Sequence, residues 1–211
     1  MVDGEMRLDR ARGRLWDDAG RLFVPAGREW AADAGAAGGE PVTPQEAANW
    51  LQRESEAPCR APVGVIGPRE ATPEQCGIAM RLGEGLAHMG VVVLCGGRQG
   101  VMEATCRGVA AGGGISVGIL PDDDWSAANR FVTIPVATGL GVARNAVVAR
   151  AALCLVAVGG GHGTLSEIAF GLQFGKPVFG LADAPAVPGL RMLRNADDAC
   201  AAVARVLLNL G

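Results

Sequence analysis

Leu153-Cys154-Leu155-Val156-Ala157-Val158-Gly159-Gly160-Gly161-His162-Gly163-Thr164 is the stretch that decides the fold. Its first six residues are apolar without alternation, so a strand here is buried on both faces, as in a parallel sheet covered by helices. The glycines then turn the chain sharply, and apolar residues at helical spacing run from Thr164 to Phe174.

The same unit recurs along the chain. Pro62–Ile66 runs into Gly67-Pro68-Arg69-Glu70 and a helix from Thr72 to His88, with Thr72-Pro73 as its start signal. Val91–Cys95 runs into Gly96-Gly97-Arg98-Gln99-Gly100 and a helix over Val101–Ala111. Ile115–Leu120, closed by Pro121, and Phe131–Pro135 read as further strands. Gly139-Leu140-Gly141 leads into a helix through Arg144 to Ala151, Pro177–Leu181 is a last strand, and Asn195 caps a helix to Leu208. Strands and helices in alternation predict an α/β domain over 59–211, a Rossmann-like doubly wound parallel sheet with helices on both faces. Residues 1–58 predict a small N-terminal extension. It holds a hairpin over 7–27 turning at Asp17–Gly20, a flexible linker over 31–42, and a short helix from the Thr43 cap to about Glu54.

Composition narrows the function. The chain has 211 residues, 49% hydrophobic and 19% charged, which is enough to build a core and argues against disorder. Its net charge of −3, the absence of Tyr and the 4% aromatic content exclude a basic, base-stacking surface for nucleic acid. No apolar run reaches the roughly 18–20 residues of a membrane span, and the N-terminus lacks the apolar core of a signal peptide, so a cytoplasmic protein is expected. Charge is uneven: residues 1–58 hold 11 acidic and 7 basic side chains, and the remainder 11 and 12. The six cysteines form no C-x-x-C pair and keep no ligand spacing with His88 or His162, so no metal is expected and the cysteines read as small buried hydrophobes. Asp122-Asp123-Asp124 after Pro121 reads as a solvated turn.

All the glycine turns follow strands and precede helices, so in a parallel sheet they converge on one edge. Gly160, Gly161 and Gly163 let backbone N–H groups approach an anion, and Thr164 adds a hydroxyl at the helix start. Gly96, Gly97, Arg98 and Gly100 repeat the design one unit earlier. Neither turn is a P-loop, since the Lys-Ser/Thr pair is missing. Strand Ile115–Leu120 ends in Leu-Pro rather than the acidic residue of a dinucleotide site, so no resident cofactor is expected. Glu167 lies one helical turn past Thr164, where it either caps a backbone N–H or acts on another part of the ligand. Arg144 opens a helix, an unfavourable end for a cation, which implies a bound anion or a carboxylate partner. Arg69 and Arg98 are either ligand contacts or solvated loop arginines. His162 reads as a surface spacer.

Gly160-Gly-His-Gly-Thr-Leu-Ser-Glu167, with Gly96–Glu103 and Ala143-Arg144-Asn145, resembles the LOG family over about residues 62–183. Members are often labelled lysine decarboxylase-like, and characterised ones are phosphoribohydrolases that release free base and ribose 5-phosphate from cytokinin riboside 5′-monophosphates. The resemblance implies Glu167 and Arg144 as catalytic pair and Gly160, Gly161, Gly163 and Thr164 as phosphate loop. Gly67, Arg69, Gly96, Gly97, Arg98, Gly100, Met102 and Asn145 would complete the nucleotide site. The sequence departs from those enzymes at Gly159, where they carry Pro, at Asn145, where they carry Lys, and in its extension over 1–58. It is also similar to a bacterial branch related to proteins that carry molybdenum cofactor.

Two functions follow as expectations. One is hydrolysis of a nucleoside 5′-monophosphate at its N-glycosidic bond, with Glu167 and Arg144 at the ribose. The other is a non-catalytic carrier or sensor for a nucleotide or a phosphorylated pterin in the same pocket. Pyridoxal-dependent decarboxylation needs a Schiff-base lysine. The chain's one lysine, Lys176, falls at the opposite edge of the sheet. The expected partner is a nucleoside monophosphate or related phosphorylated small molecule. A second copy of the chain is also expected, because Ile168, Phe170, Leu172 and Phe174 make their helix apolar around most of its girth.

Overall fold

The structure is a computed structural model that describes residues 5–35, 38–57 and 59–210. Ala61–Cys200 form one compact unit, and the residues before Ala61 form another with the segment from Ala201 onward.

The larger unit is built on seven strands: β6 (Val63–Ile66), β7 (Val92–Cys95), β8 (Ile115–Leu120), β9 (Ile134–Ala137), β10 (Leu155–Val158), β11 (Val178–Leu181) and β12 (Arg191–Met192). They pair in parallel in the order β12-β11-β10-β6-β7-β8-β9. Every residue of β6, β10 and β11 is buried, as their unbroken apolar runs require. Helix α2 (Pro73–His88) packs on α3 (Val101–Ala111), and α4 (Arg144–Ala151) packs on α5 (His162–Gln173). Ile66, Leu94, Leu155 and Val178 of the sheet meet Val148, Ala149 and Ile168 of α4 and α5 in one buried cluster. Two helix starts follow their sequence signals. Thr72 and Gln75 form a reciprocal capping box before α2, and Asn195 Oδ1 accepts the Asp198 N–H before α6 (Ala196–Leu207).

Four details depart from expectation. The strand expected over Phe131–Pro135 starts at Ile134, because Asn129 accepts the Phe131 N–H and donates to the Gly97 and Arg98 carbonyls, pinning that stretch as a turn. Asp122-Asp123-Asp124 is more than a solvated turn. Asp122 pairs with Arg98 at 2.8 Å, and Asp124 caps the short 3-10 helix Trp125–Ala127. Helix α5 begins at His162, two residues before Thr164, because extended Gly161 caps it without a side chain. Of the cysteines, Cys95, Cys106, Cys154 and Cys200 are buried, Cys76 is half-buried and Cys59 is exposed.

In the smaller unit, β1 (Met6–Asp9), β2 (Arg14–Trp16), β3 (Leu22–Val24), β4 (Glu29–Ala31) and β5 (Glu40–Val42) form an antiparallel sheet in the order β4-β3-β2-β1-β5. The hairpin turning at Asp17–Gly20 is β2–β3. The linker reading of 31–42 is overturned at both ends, which lie in β4 and β5, while residues 36–37 lie outside the described residues. Composition reported the small residues but not that Glu40–Val42 would pair with β1, a contact more than thirty positions away. Asp33 fixes the intervening chain by accepting from Trp16 Nε1 at 2.8 Å and Arg14 at 2.9 Å. Helix α1 (Pro44–Arg53) has the Thr43–Glu46 capping box read from the sequence. Trp30 Nε1 donates to the Leu208 carbonyl at 2.8 Å and holds the C-terminal segment.

Candidate functional site

Strand order reverses between β6 and β10, and a parallel sheet opens a crevice at its carboxyl edge at such a point. A cavity of about 330 Å³ lies there, at the low end of the roughly 300–1,000 Å³ usual for small-molecule sites. Gly67 and Arg69 enter its wall from the turn after β6, Gly96 and Arg98 from the turn after β7, and Met102 from the first turn of α3. Arg144 and Asn145 come from the start of α4, and Gly161, Gly163, Thr164 and Glu167 from the start of α5. Gly97, Gly100 and Gly160 stand outside the wall. Gly97 packs on Gly118 and Leu120, Gly100 caps α3, and Gly160 lies against Pro185. The lining also takes Ile66, Pro68, Pro121, Gly141 and Val142, which sequence reasoning did not assign. Their signal was position alone, since each ends a strand or sits in the turn after one.

Arg144 and Glu167 are the centre of the cavity's charge. Both side chains are buried, and Arg144 Nη1 donates to Glu167 Oε1 at 3.1 Å. The cation at a helix start therefore has a carboxylate partner. Glu167 does not cap a backbone N–H. Burial pushes its carboxyl up to about 7, against the pull of the Arg144 guanidinium. Gly96 is a close-approach position, since a Cβ there would collide with that guanidinium.

Three arginines and one carboxylate give the lining an excess of positive charge. Arg98 spends Nη1 on Asp122 and the Ala127 carbonyl, while Arg69 is exposed. Three buried donors of lining residues have no protein partner: Arg144 Nε, Arg98 Nε and Thr164 Oγ1. Thr164 lies in the first turn of α5, where the leading N–H groups also lack intrahelical acceptors. Asn145 is spent differently. Its amide donates to Ser166 Oγ at 2.9 Å and the Gly163 carbonyl at 3.4 Å, tying α4 to the first turn of α5. Gly159 has φ +63°, closed to proline with its φ near −65°, so this chain enters the glycine turn by a path no Pro-Gly-Gly sequence can follow. Lys176 sits in the turn between α5 and β11, at the amino edge of the sheet. Among the described residues no three His, Cys, Asp or Glu side chains cluster as metal ligands, and no helix is long and apolar enough to cross a membrane.

Fold and cavity define a Rossmann-like α/β protein with a cationic cavity at the switch point of its sheet. Residues 60–204 match the SLOG cluster4 family, and the chain belongs to it. The molybdenum cofactor binding protein of the phototrophic bacterium Rippkaea orientalis is 30% identical with a TM-score of 0.68, over 72% of this chain and 99% of that one. The molybdenum cofactor carrier protein of Chlamydomonas reinhardtii is 33% identical with a TM-score of 0.66, over 72% and 100%. A protein of Archaeoglobus fulgidus is 41% identical over 137 residues, 65% of this chain and 90% of its own length.

Proposed function

We propose that the chain is a binding protein for a phosphorylated heterocycle, a carrier of the molybdenum-cofactor type, which takes its ligand at the cavity between the starts of α3, α4 and α5. The observation that carries the reading is the set of three buried donors without partners, on Arg144, Arg98 and Thr164. A buried donor left unpaired costs about 1–3 kcal/mol, and a phosphate is the group that would satisfy several at once beside a helix N-terminus. The phosphate sits at Thr164 and the first turn of α5, and Arg144 faces the ligand from the side. Arg98 reaches further anionic oxygens. Glu167 accepts from ring or amino N–H groups of the heterocycle. Among the described residues no Cys or His lines the cavity, so a metal within the cargo is held through the organic part of its carrier and not by a protein ligand. The replacement of the enzymes' lysine by Asn145, whose amide is spent on Ser166 and Gly163, also favours carriage over turnover.

A second reading rests on one feature. A carboxyl near 7 beside an arginine is suited to general acid–base work, so Glu167 and Arg144 support a nucleoside 5′-monophosphate phosphoribohydrolase in the same pocket. The test is titration calorimetry of the full-length protein with molybdenum cofactor and with a panel of nucleoside 5′-monophosphates, each followed by chromatography for free base. Binding without release of base is expected. Release of base that disappears in Glu167→Gln would replace the carrier with the hydrolase.

A further inference from the structure

Two thiols lie directly beneath the proposed site. Cys95 is the last residue of β7, Cys106 lies in the middle of α3, and their Sγ atoms are 3.5 Å apart in a buried contact. A disulfide needs about 2.05 Å, so each sulfur has to move less than about 1 Å. Met102 belongs to the same buried cluster and also lines the cavity. The pair is therefore one side chain below the cavity floor. Cys95 also supports the turn above it, since its Sγ accepts the Gly97 N–H at 3.3 Å. Gly96, between them, lies against the Arg144 guanidinium with no room for a Cβ.

We propose that Cys95 and Cys106 form a reversible disulfide under peroxide, and that this bond distorts the Gly96–Gly97 turn beneath Arg144 and weakens the site for its anionic ligand. Cys106 is the partner drawn toward the thiolate, first by the hydrogen bond it shares with Cys95 and then by Ser116 and Asn129, against burial and the Glu103 charge. Cys95 is pushed the other way by the same hydrogen bond and by burial. The Cys106 sulfur attacks one peroxide oxygen, the O–O bond breaks, an S–O bond forms, and the departing oxygen leaves as water with the thiol proton. The Cys95 sulfur then attacks the Cys106 sulfur, forming the S–S bond and expelling the second oxygen as water with its own proton. The two sulfurs lose two electrons and the peroxide gains them. A small dithiol returns them by exchange.

The effect on affinity rests on the function proposed above, but the covalent step does not. The test uses full-length protein carrying Cys59→Ser and Cys76→Ser, so that the exposed and half-buried thiols do not react. It is treated with hydrogen peroxide, and its intact mass, peptide map, affinity for AMP and amide hydrogen exchange over residues 96–102 are measured. The expected result is loss of two hydrogens, a cross-link between the peptides holding Cys95 and Cys106, and at least fivefold weaker AMP binding, all reversed by dithiothreitol. Cys106→Ser and Cys95→Ala should each abolish the cross-link, and either variant suffices if the other fails to fold. Oxidation to sulfinic acid without a cross-link would overturn the proposal, as would a cross-link that leaves affinity and exchange unchanged. If the reduced protein does not bind AMP, the affinity readout says nothing of the switch, and the molybdenum-cofactor titration above decides the function reading separately. Exchange then decides: a dithiol-reversible change over 96–102 upholds the switch, and no change sinks it.

Discussion

Arg144 Nη1 reaches Glu167 Oε1 at 3.1 Å and joins the first turn of α4 to the second turn of α5, with both side chains buried. Removing one partner of such a pair generally costs about 3–5 kcal/mol, because the other is left buried and charged. Glu167 has an escape, since its carboxyl lies near 7 even with Arg144 present. Arg144→Ala should therefore destabilise the protein less at pH 6, where Glu167 takes up a proton, than at pH 8. Urea midpoints of both proteins at the two pH values check this, and equal losses would show that the carboxylate does not depend on the arginine.

The same carboxyl gives stability a pH dependence of definite sign. The folded protein holds the Glu167 proton up to about 7, whereas the ordinary glutamate value is 4.5. Folded chains thus bind more protons in that window, and the group's contribution to stability falls as pH rises from about 4.5 to about 7. Over that range the loss is on the order of 3 kcal/mol, at about 1.4 kcal/mol per pH unit. Glu167→Gln should remove this slope, so the difference in unfolding free energy between wild type and variant changes between about pH 4.5 and about pH 7 and flattens beyond both ends. A pH-independent difference would mean that Glu167 titrates like an exposed carboxylate.

Protonation should also favour an anionic ligand. Titration of AMP should give tighter binding as pH falls from 8 to 6, beyond the change seen in Glu167→Gln. The variant carries the phosphate's own titration and none from the carboxyl, so parallel profiles would remove Glu167 from the ligand's surroundings.

Much of this site was legible in the sequence because parallel topology turns order along the chain into proximity in space. The turns beginning at Gly67, Gly96 and Gly159 each follow a buried strand, so their convergence needed only the sheet. The Arg144–Glu167 pair was half legible: the family resemblance set the two residues together and a cation at a helix start called for an anion, but their direct ion pair follows only from the packing of α4 on α5. Asn145 as a tie to Ser166 and Gly163 depends on side-chain direction, which spacing does not carry. Nothing in the spacing of Cys95 and Cys106 distinguishes two buried thiols in contact from two apart. The fifth strand of the smaller sheet was hidden because Glu40–Val42 is short, carries Pro41 and pairs at long range.

Gly96 and Gly161 separate crowding from ligand access. A Cβ on Gly96 meets the Arg144 guanidinium, whereas one on Gly161 meets nothing within 4 Å, and Gly161 has extended backbone that any residue adopts. Gly96→Ala should displace Arg144, lower the melting temperature and weaken AMP binding at least tenfold. Gly161→Ala should stay within about 0.5 kcal/mol of wild type, as surface substitutions usually do, and weaken binding through its place in the cavity wall. Full affinity in Gly96→Ala would show that Arg144 is not needed where it stands.

The exposed apolar residues around α4 and α5 bear on assembly. Leu140 and Val142 precede α4, Val147 lies on it, and Leu165 lies on α5, all at least 38% exposed and Val142 86%. Phe170, Leu172 and Phe174, expected to free a face of α5 for a partner, are instead partly buried against the sheet core. Of the side chains on these two helices, Leu165 and Val147 remain exposed and could meet a second copy. A two-fold pairing of copies would bury such side chains against one another. Light scattering should give about twice the 21.5 kDa of one chain. Leu165→Asp should yield a monomer with an unchanged far-ultraviolet circular dichroism spectrum. A wild-type protein that scatters as a monomer at tens of micromolar would leave these side chains without a homotypic role.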